Sequence, residues 1–184
     1  TVDPLPTAPT VTNLSVCKDD TPIAWGVLLM LQHASLVTTA TGGTGSPTTP
    51  TYSTNTATTI TRWVAQQNST TGCIGPRVQI TITVHPLPVA PSITNISYCI
   101  GQTANPLSAT ATTGNTLRWY TSATGGTAST TAPTPSTAAA GTTSYWVSQI
   151  NTATGCEGPR AQIDVEVLTL PNPPGTSNLS VCFG

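Results

Sequence analysis

The 184-residue chain carries very little charge, since only 6% of its residues are Asp, Glu, Lys or Arg, against roughly 25% in typical soluble domains. Its net charge is −1 and its five basic residues are scattered, which leaves no basic surface for nucleic acid or anionic lipid. The longest apolar run, residues 23–31, is far shorter than the roughly 20 residues of a membrane-spanning helix. We therefore expect no nucleic-acid partner and no contact of this chain with a membrane.

Residue patterns that support catalysis or cofactor binding are also missing. The five cysteines show no Cys-x-x-Cys spacing, and the glycine-rich residues 42–45 lack the third glycine of a dinucleotide loop and the lysine of a P-loop. Asp19 and Asp20 are adjacent and would point to opposite faces of a strand, so a calcium or paired-carboxylate site there is the less favoured alternative. His33 and His85 stand alone. The sequence therefore predicts no enzyme, no cofactor and no metal site.

The chain is rich in the residues that make strands and turns. Threonine occupies forty positions, and the sequence holds 17 prolines and 15 glycines. Threonine is β-branched and suits a half-exposed pleated surface, whereas proline and glycine end strands and form turns. Cysteines in a chain so poor in charge fit disulfides formed in an oxidising compartment. The composition therefore predicts an all-β protein with an extracellular location.

The chain copies itself at a spacing of 83 residues, which indicates a tandem array of small units. The motif Cys-x-Gly-Pro-Arg begins at Cys73 and returns at Cys156. The other repeated elements are Trp63-Val64 with Trp146-Val147, Thr41-Gly42-Gly43-Thr44 with Thr124-Gly125-Gly126-Thr127, and an Asn-x-Ser-x-Cys marker that ends at Cys17, Cys99 and Cys182.

Proline-rich connectors precede each Asn-x-Ser-x-Cys marker, at residues 3–6, 85–88 and 170–174. Proline fixes φ and cannot donate to a sheet, so these stretches predict short, stiff linkers between globular units. They divide the chain into the end of a preceding repeat or linker (residues 1–6), a first full repeat (7–88), a second (89–171) and the start of a third (172–184). We expect the two full repeats to lie end to end in an extended arrangement, with the chain internal to a longer protein.

The strands follow a two-residue alternation. Apolar residues from Ala161 to Val167 alternate with polar ones, and residues 78–84 match them in the first repeat. Six or seven short strands in about 80 residues are typical of a sandwich. We therefore predict tandem immunoglobulin-like antiparallel β-sandwiches of about 83 residues. The core residues expected in the second repeat are Leu117, Trp119, Ile163 and Val165.

The cysteines lie at matching places in the two repeats. We predict that Cys17 bonds Cys73 and that Cys99 bonds Cys156, which leaves Cys182 unpaired. In the chain-entropy model, closing a loop of that length contributes roughly 4 kcal/mol. The alternative bond, Cys73 with Cys99 across the connector, stays open because connectivity cannot be deduced from sequence.

Two further residue types recur beside these cysteines. Arg77 and Arg160 follow the loop cysteines, where a role in binding turn carbonyls or an acid across the sheet is favoured over ligand contact. Trp63 and Trp146 would point outward if the neighbouring valines point inward. Packing at a repeat edge is favoured there over stacking on sugar rings.

One stretch departs from the repeat. Residues 34–37 read Ala-Ser-Leu-Val where residues 117–120 read Leu-Arg-Trp-Tyr, and they follow an apolar run that contains Trp25. Drift, in which Trp25 refills the core volume of Trp119, is the favoured interpretation. A compensated frameshift over residues 24–37 and a ligand-facing apolar loop are the alternatives.

The combined pattern resembles a known family. Tyr98-Cys99, Leu117-Arg118-Trp119-Tyr120, residues 140–149 and Gly155-Cys156-Glu157-Gly158-Pro159-Arg160-Ala161 are similar to the Ig-like repeats of very large cell-surface adhesins of gliding Bacteroidota, the SprB-type gliding adhesins. The resemblance covers both full repeats and implies a β-sandwich, export by the type IX secretion route and service in the stalk of a surface adhesin. It implies no catalytic residue.

Two functions from different classes follow. In the first, the repeats are a mechanical spacer on the cell surface, whose partners are neighbouring repeats of the same chain. In the second, each repeat is a module that binds surface polysaccharide, the substratum or a protein. A hydroxyl-covered surface without an aromatic cluster favours the spacer.

Overall fold

The computed structural model describes residues 2–23, 34–37, 39–43, 45–46, 51–176 and 184. In these residues every regular element is a β-strand, and the all-β, Ig-like fold class predicted from the sequence is confirmed. The chain separates into two compact units. The first holds Thr1–Val89 together with the loop Ile150–Gly158, and the second holds Ala90–Gln149 and Pro159–Gly184.

The first unit contains a four-stranded sheet. Its strands are β1 (Leu14–Cys17), β2 (Ala34–Val37), β3 (Thr58–Gln66) and β4 (Val78–His85). They lie in the order β1-β4-β3-β2, with β3 antiparallel to both β2 and β4. His85, which the sequence placed in a connector, is the last residue of β4, and its Nε2 lies 2.8 Å from the Ser15 hydroxyl of β1.

The second unit repeats this arrangement with a small added sheet. Its strands are β5 (Ser92–Ile93), β6 (Ile96–Cys99), β7 (Ala109–Thr110), β8 (Asn115–Tyr120), β9 (Gly141–Asn151) and β10 (Ala161–Leu168). The four-stranded sheet has the order β6-β10-β9-β8, and β5 pairs with β7 in a separate two-stranded sheet.

In each four-stranded sheet the strand that comes first in the chain, β1 or β6, pairs in parallel with the strand that comes last, β4 or β10, which departs from a purely antiparallel scheme. We call these the first and last strands. Cys17 lies opposite His85 in the β1–β4 pair, and Cys99 lies opposite Leu168 in the β6–β10 pair. A parallel pair needs a long connection, and here the connection is the whole remainder of the repeat. The chain therefore enters β1 or β6 at one end of the sheet and leaves β4 or β10 at the other.

Alternation along the last strand of each repeat builds the cores. In the second unit Ile163, Val165 and Trp119 are buried at 0%, 1% and 3% exposure, and Leu117 is partly buried against them. Gln162 on the intervening position is exposed. The matching core of the first unit consists of Val16, Tyr52, Val64, Ile80, Ile82 and Val84.

The asparagine of the Asn-x-Ser-x-Cys marker ties the first strand to the last. The Asn13 carboxamide oxygen accepts a hydrogen bond from the Thr81 N–H at 2.9 Å, and Asn95 does the same for Asp164 at 3.0 Å. The repeated spacing within this chain therefore has a structural reason in both repeats, because each asparagine satisfies a backbone donor of the final strand.

Several predictions fall outside the described residues. Trp25, His33 and Cys182 lie there, as do most of residues 24–37 and residues 177–183 of the expected third repeat. The backbone of residues 34–37 is strand β2, paired with β3. The predicted explanations of the departure in residues 24–37 stay predictions.

Candidate functional site

The turn after the first strand places the first cysteine of each repeat. The Cys17 N–H donates to the Asp20 carboxylate at 2.9 Å, and the Cys99 N–H donates to the Gln102 side-chain oxygen at 2.9 Å. The residue after each cysteine donates its N–H to the last residue of the neighbouring strand, to His85 at 2.8 Å and to Leu168 at 2.9 Å. Both cysteines are thus held where the final strand ends and the connector begins.

The loop before the last strand places the second cysteine, and we call this segment the cysteine loop (residues 68–77 and 151–160). The Asn68 side-chain oxygen accepts from the N–H groups of Thr70 and Thr71 at 2.9 and 3.0 Å. The Asn68 N–H donates to the Cys73 carbonyl at 2.9 Å. Asn151 and Cys156 form the same bond at 2.9 Å. The two cysteine loops therefore share one backbone fold.

The glycine of Cys-x-Gly-Pro-Arg lets the connector approach the cysteine loop. A Cβ on Gly75 would overlap the Pro6 carbonyl oxygen and would lie 3.0 Å from the carbonyl carbon. A Cβ on Gly158 would meet the carbonyl group of Pro88 in the same way. Glycine is required at these positions by close backbone approach, since neither has a positive φ. Each cysteine loop is thus packed on the connector that precedes its own repeat.

The disulfide joins cysteines that the sequence assigned to different bonds. Cys17 bonds Cys156, with Cα atoms 5.5 Å apart and a sequence separation of 139 residues. Cys73 and Cys99 are free thiols. The predicted bonds Cys17–Cys73 and Cys99–Cys156 are therefore wrong, and the alternative bond Cys73–Cys99 is not formed either.

Strand direction explains why Cys17 bonds Cys156 rather than Cys73. Because β1 runs parallel to β4, Cys17 lies beside the last residue of β4, whereas Cys73 precedes the first residue of that strand. Eight residues of strand separate them by roughly 25 Å, at about 3.3 Å per residue, far beyond the 4.4–6.8 Å between Cα atoms of a disulfide. The Cys156 loop instead packs on Pro88, three residues after the partner of Cys17.

The arginine of the cysteine loop holds the glycine turn of its repeat. Arg160 donates to the carbonyl oxygens of Ser122 and Gly125 at 2.7 and 2.9 Å, and its guanidinium carbon lies 3.3 Å from the ring centroid of Tyr120. Arg77 donates to the Thr39 carbonyl at 2.8 Å, the matching position in the first repeat. Both arginines thus contact turn carbonyls.

The outer face of the second sheet carries Trp146 beside a polar row. Trp146 is half-buried, lies opposite Gln162, and precedes the fully buried Val147. The Asp164 carboxylate accepts from Ser144 at 2.6 Å and from Gln162 at 2.8 Å. These hydrogen bonds, the one from Ser144 first, lower the pKa of Asp164 below its ordinary value. Trp63 is likewise half-buried, opposite Gln79.

Chemistry-bearing side chains do not cluster in the part of the chain that the structure describes. Over those residues no three His, Cys, Asp or Glu side chains come together in a way that could hold a metal ion. Asp19 forms an exposed ion pair with its neighbour Lys18, at 2.8 Å. Within the same residues no helix is long and apolar enough to cross a membrane.

The fold and these loops define an Ig-like domain, and the comparisons with known proteins agree for the second repeat. Residues 88–168 match the family described as "Ig-like domain CHU_C associated". No curated protein sequence matches the chain.

Solved structures of immunoglobulin and cadherin domains are similar over most of the chain at low identity. They include Sidekick-1 immunoglobulin domains 1-4 (12% identity, 89% of this chain and 51% of that one, TM-score 0.30). Human mucin-like protocadherin EC1-2 is 11% identical, over 88% of this chain and 98% of that one, with a TM-score of 0.27. Drosophila N-cadherin EC1-4 is 14% identical, over 91% of this chain and 51% of that one, with a TM-score of 0.27. The chain spans about half the length of the Sidekick-1 and N-cadherin chains.

Proposed function

We propose that the chain is a run of stalk repeats from a large secreted cell-surface adhesin of the gliding-motility type, exported by the type IX route. Its role is structural and adhesive rather than catalytic, and its partners are neighbouring repeats of the same chain. The Ig-like match over residues 88–168 and the family resemblance support the class. The observation that carries the proposal is the parallel pairing of the first and last strands.

Parallel pairing suits a unit that must resist tension. The chain enters β6 at Ile96, opposite Val165, and leaves β10 at Leu168, opposite Cys99. A force that draws the two ends apart therefore acts along the strands and loads all the β6–β10 hydrogen bonds at once. An antiparallel pair pulled at its neighbouring ends opens one bond after another. The β1–β4 pair of the first unit has the same geometry.

Single-molecule pulling on the second unit tests this proposal. One protein carries attachment points at Ala90 and Leu170, so that tension shears the β6–β10 pair. A matched control carries them at Gly141 and Leu168, at the end of the antiparallel β9–β10 pair where Gly141 lies opposite Val167. We expect the first geometry to need several times the unfolding force of the second. Equal forces in the two geometries would contradict a stalk function.

A carbohydrate-binding module is the second candidate, favoured by one observation. Trp146 lies on the outer face of the sheet opposite Gln162, in a row with the hydrogen-bonded Ser144 and Asp164. An aromatic ring beside polar side chains is an arrangement that can stack on a sugar. Binding of the chain on a glycan array, lost in Trp146→Ala and kept in Trp63→Ala, would favour this function over the stalk.

A further inference from the structure

Two thiols occupy positions whose counterparts in the other repeat are covalently bonded. Cys99 occupies in the second repeat the place of Cys17, and Cys73 occupies in the first repeat the place of Cys156. Cys156 is buried at 1% exposure, whereas Cys73 is half-buried and Cys99 is exposed. The bonded pair thus shows what partner each free thiol lacks.

The surroundings of each thiol match those of its bonded counterpart. Cys99 lies opposite Leu168, and Leu168 comes just before Leu170-Pro171 in the chain. In the same way Cys17 lies opposite His85, which comes just before Leu87-Pro88. The Cys73 loop packs on Pro6 through Gly75, as the Cys156 loop packs on Pro88 through Gly158. The docking contact that brings Cys156 to Cys17 is therefore already formed around Cys73, with its own connector in place.

We infer that the strand cysteine of each repeat forms a disulfide with the cysteine loop of the repeat that follows it. Cys99 then bonds the loop cysteine of a following copy, and Cys73 bonds the strand cysteine of a preceding one. The inference rests on the proposed function, because it needs neighbouring repeats in the same chain. In such an array a disulfide bridges the connector between each pair of neighbouring repeats.

The bond forms by thiol–disulfide exchange with a small-molecule disulfide such as oxidised glutathione. The Cys99 thiolate attacks the reagent and expels one glutathione thiolate, and the loop-cysteine thiolate then attacks the mixed disulfide and expels the second. Two protein thiols lose two protons and two electrons, and the reagent leaves as two thiols.

A chain lengthened by one repeat tests the inference. Residues 1–171 are followed directly by residues 89–184, so that Pro171-Val89 reproduces the natural Pro88-Val89 junction. The added copy carries Ala153→Thr, the residue of the first repeat at Thr70, which marks its cysteine-loop peptide by mass. After folding with oxidised glutathione, peptide mapping without reduction should find Cys17 bonded to the original Cys156 and the original Cys99 bonded to the marked loop.

Two controls keep the test decisive. Cys156→Ser in the added copy alone should leave Cys99 as a thiol and keep the Cys17–Cys156 bond. A reciprocal chain duplicates the first repeat, with residues 1–88 followed by residues 7–184. It should bond the Cys17 of the first copy to the Cys73 of the second copy. A thiol at Cys99 in a folded lengthened chain, or a bond from Cys99 to Cys156 of its own repeat, would overturn the inference. The pulling experiment on the β6–β10 pair tests the stalk function separately.

Discussion

The two repeats build one backbone from different side chains, and the turn after the first strand shows how. In the second repeat Gly101 takes φ 78° and Gln102 accepts the hydrogen bond from the cysteine N–H. In the first repeat Asp19 takes φ 66° and Asp20 is the acceptor. The turn therefore depends on its hydrogen bonds and its left-handed residue rather than on particular side chains.

The cysteine loops have matching residues and the same backbone, but their cysteines differ in covalent state. Asn68 and Asn151 form matching hydrogen bonds, yet Cys73 is a thiol and Cys156 is in a disulfide. Local structure alone thus does not decide whether the loop cysteine is bonded. The bonded loop cysteine, Cys156, has its partner in the first strand of the other repeat, at Cys17.

The largest expected effect separates these two cysteines. Cys156→Ser removes a disulfide between residues 139 apart, which costs about 5 kcal/mol in the chain-entropy model. Cys73→Ser removes only a thiol and should change the free energy of unfolding by less than about 0.5 kcal/mol. Denaturant unfolding of both variants, with and without reductant, measures the difference. Equal losses in the two variants would break the comparison.

The same bond predicts how the chain lengthens under force. With attachment points at the two ends, the disulfide shields the residues between Cys17 and Cys156 from extension. Reduction should add the 139 positions that separate them, roughly 470 Å of contour at about 3.4 Å per residue. Force spectroscopy before and after reductant reads this gain directly.

Substitution of the loop glycines should destabilise both repeats alike. Gly158→Ala and Gly75→Ala each place a methyl group against the carbonyl of the connector proline, and we expect losses of about 1–3 kcal/mol. Gly175→Ala is the matched control, since a Cβ there meets nothing within 4 Å and the glycine has no positive φ. Thermal unfolding compares the three variants. A neutral Gly158→Ala would show that the connector does not pack on the loop.

The two arginines should differ in their contribution to stability. Arg160 makes two carbonyl hydrogen bonds and lies over the Tyr120 ring. Among the residues that the structure describes, Arg77 bonds the Thr39 carbonyl, and the first repeat has Val37 in the sequence where Tyr120 stands. We expect Arg160→Ala to cost about 2 kcal/mol and Arg77→Ala about 1 kcal/mol. Chemical denaturation of both variants tests the ranking, which equal or reversed losses would refute.

Asp19→Gly should stabilise the turn after the first strand of the first repeat, because it gives that turn the glycine found in the second repeat. Asp19 is the one non-glycine residue with positive φ in the described part of the chain, and Gly101 fills the matching place. Glycine adopts this conformation without steric cost, so we expect a gain of about 0.5–1 kcal/mol, less the small contribution of the exposed Lys18–Asp19 pair. Gly101→Asp is the reciprocal variant and should be destabilised. A lower melting temperature for Asp19→Gly would contradict this.

The smallest effect is a pH dependence confined to the second repeat. Asp164 is half-buried, and hydrogen bonds from Ser144 and Gln162 lower its pKa. Its stabilising contribution is therefore present above the unfolded-state pKa and is lost as pH falls through the lower folded-state value. Thr81 stands at the matching position. Asp164→Asn should show less acid destabilisation than the parent, while Thr81→Ala should match it; identical acid profiles for parent and Asp164→Asn would contradict the pKa shift.

Much of each repeat could be predicted because its information is local. Alternation predicted which side chains of residues 161–167 point inward, and the paired glycines at Gly125 and Gly126 predicted a turn that indeed takes φ values of 64° and 75°. The role of the asparagine in Asn-x-Ser-x-Cys was not predicted, although its threefold recurrence was the available signal. Its partner, the Asp164 N–H, lies 69 residues away.

The sequence by itself determined the period, the β-class, the turns and the equivalence of the cysteines, because each depends on residues close together or on the copy 83 residues away. Only the tertiary structure decided which cysteines bond. That choice depends on the direction of one strand pair: an antiparallel β1 would bring Cys17 to the start of β4, near Cys73, whereas the parallel β1 brings it to the end, near Pro88 and the Cys156 loop. Alternation is identical for a strand run in either direction, so the residues of β1 carry no local signal of it.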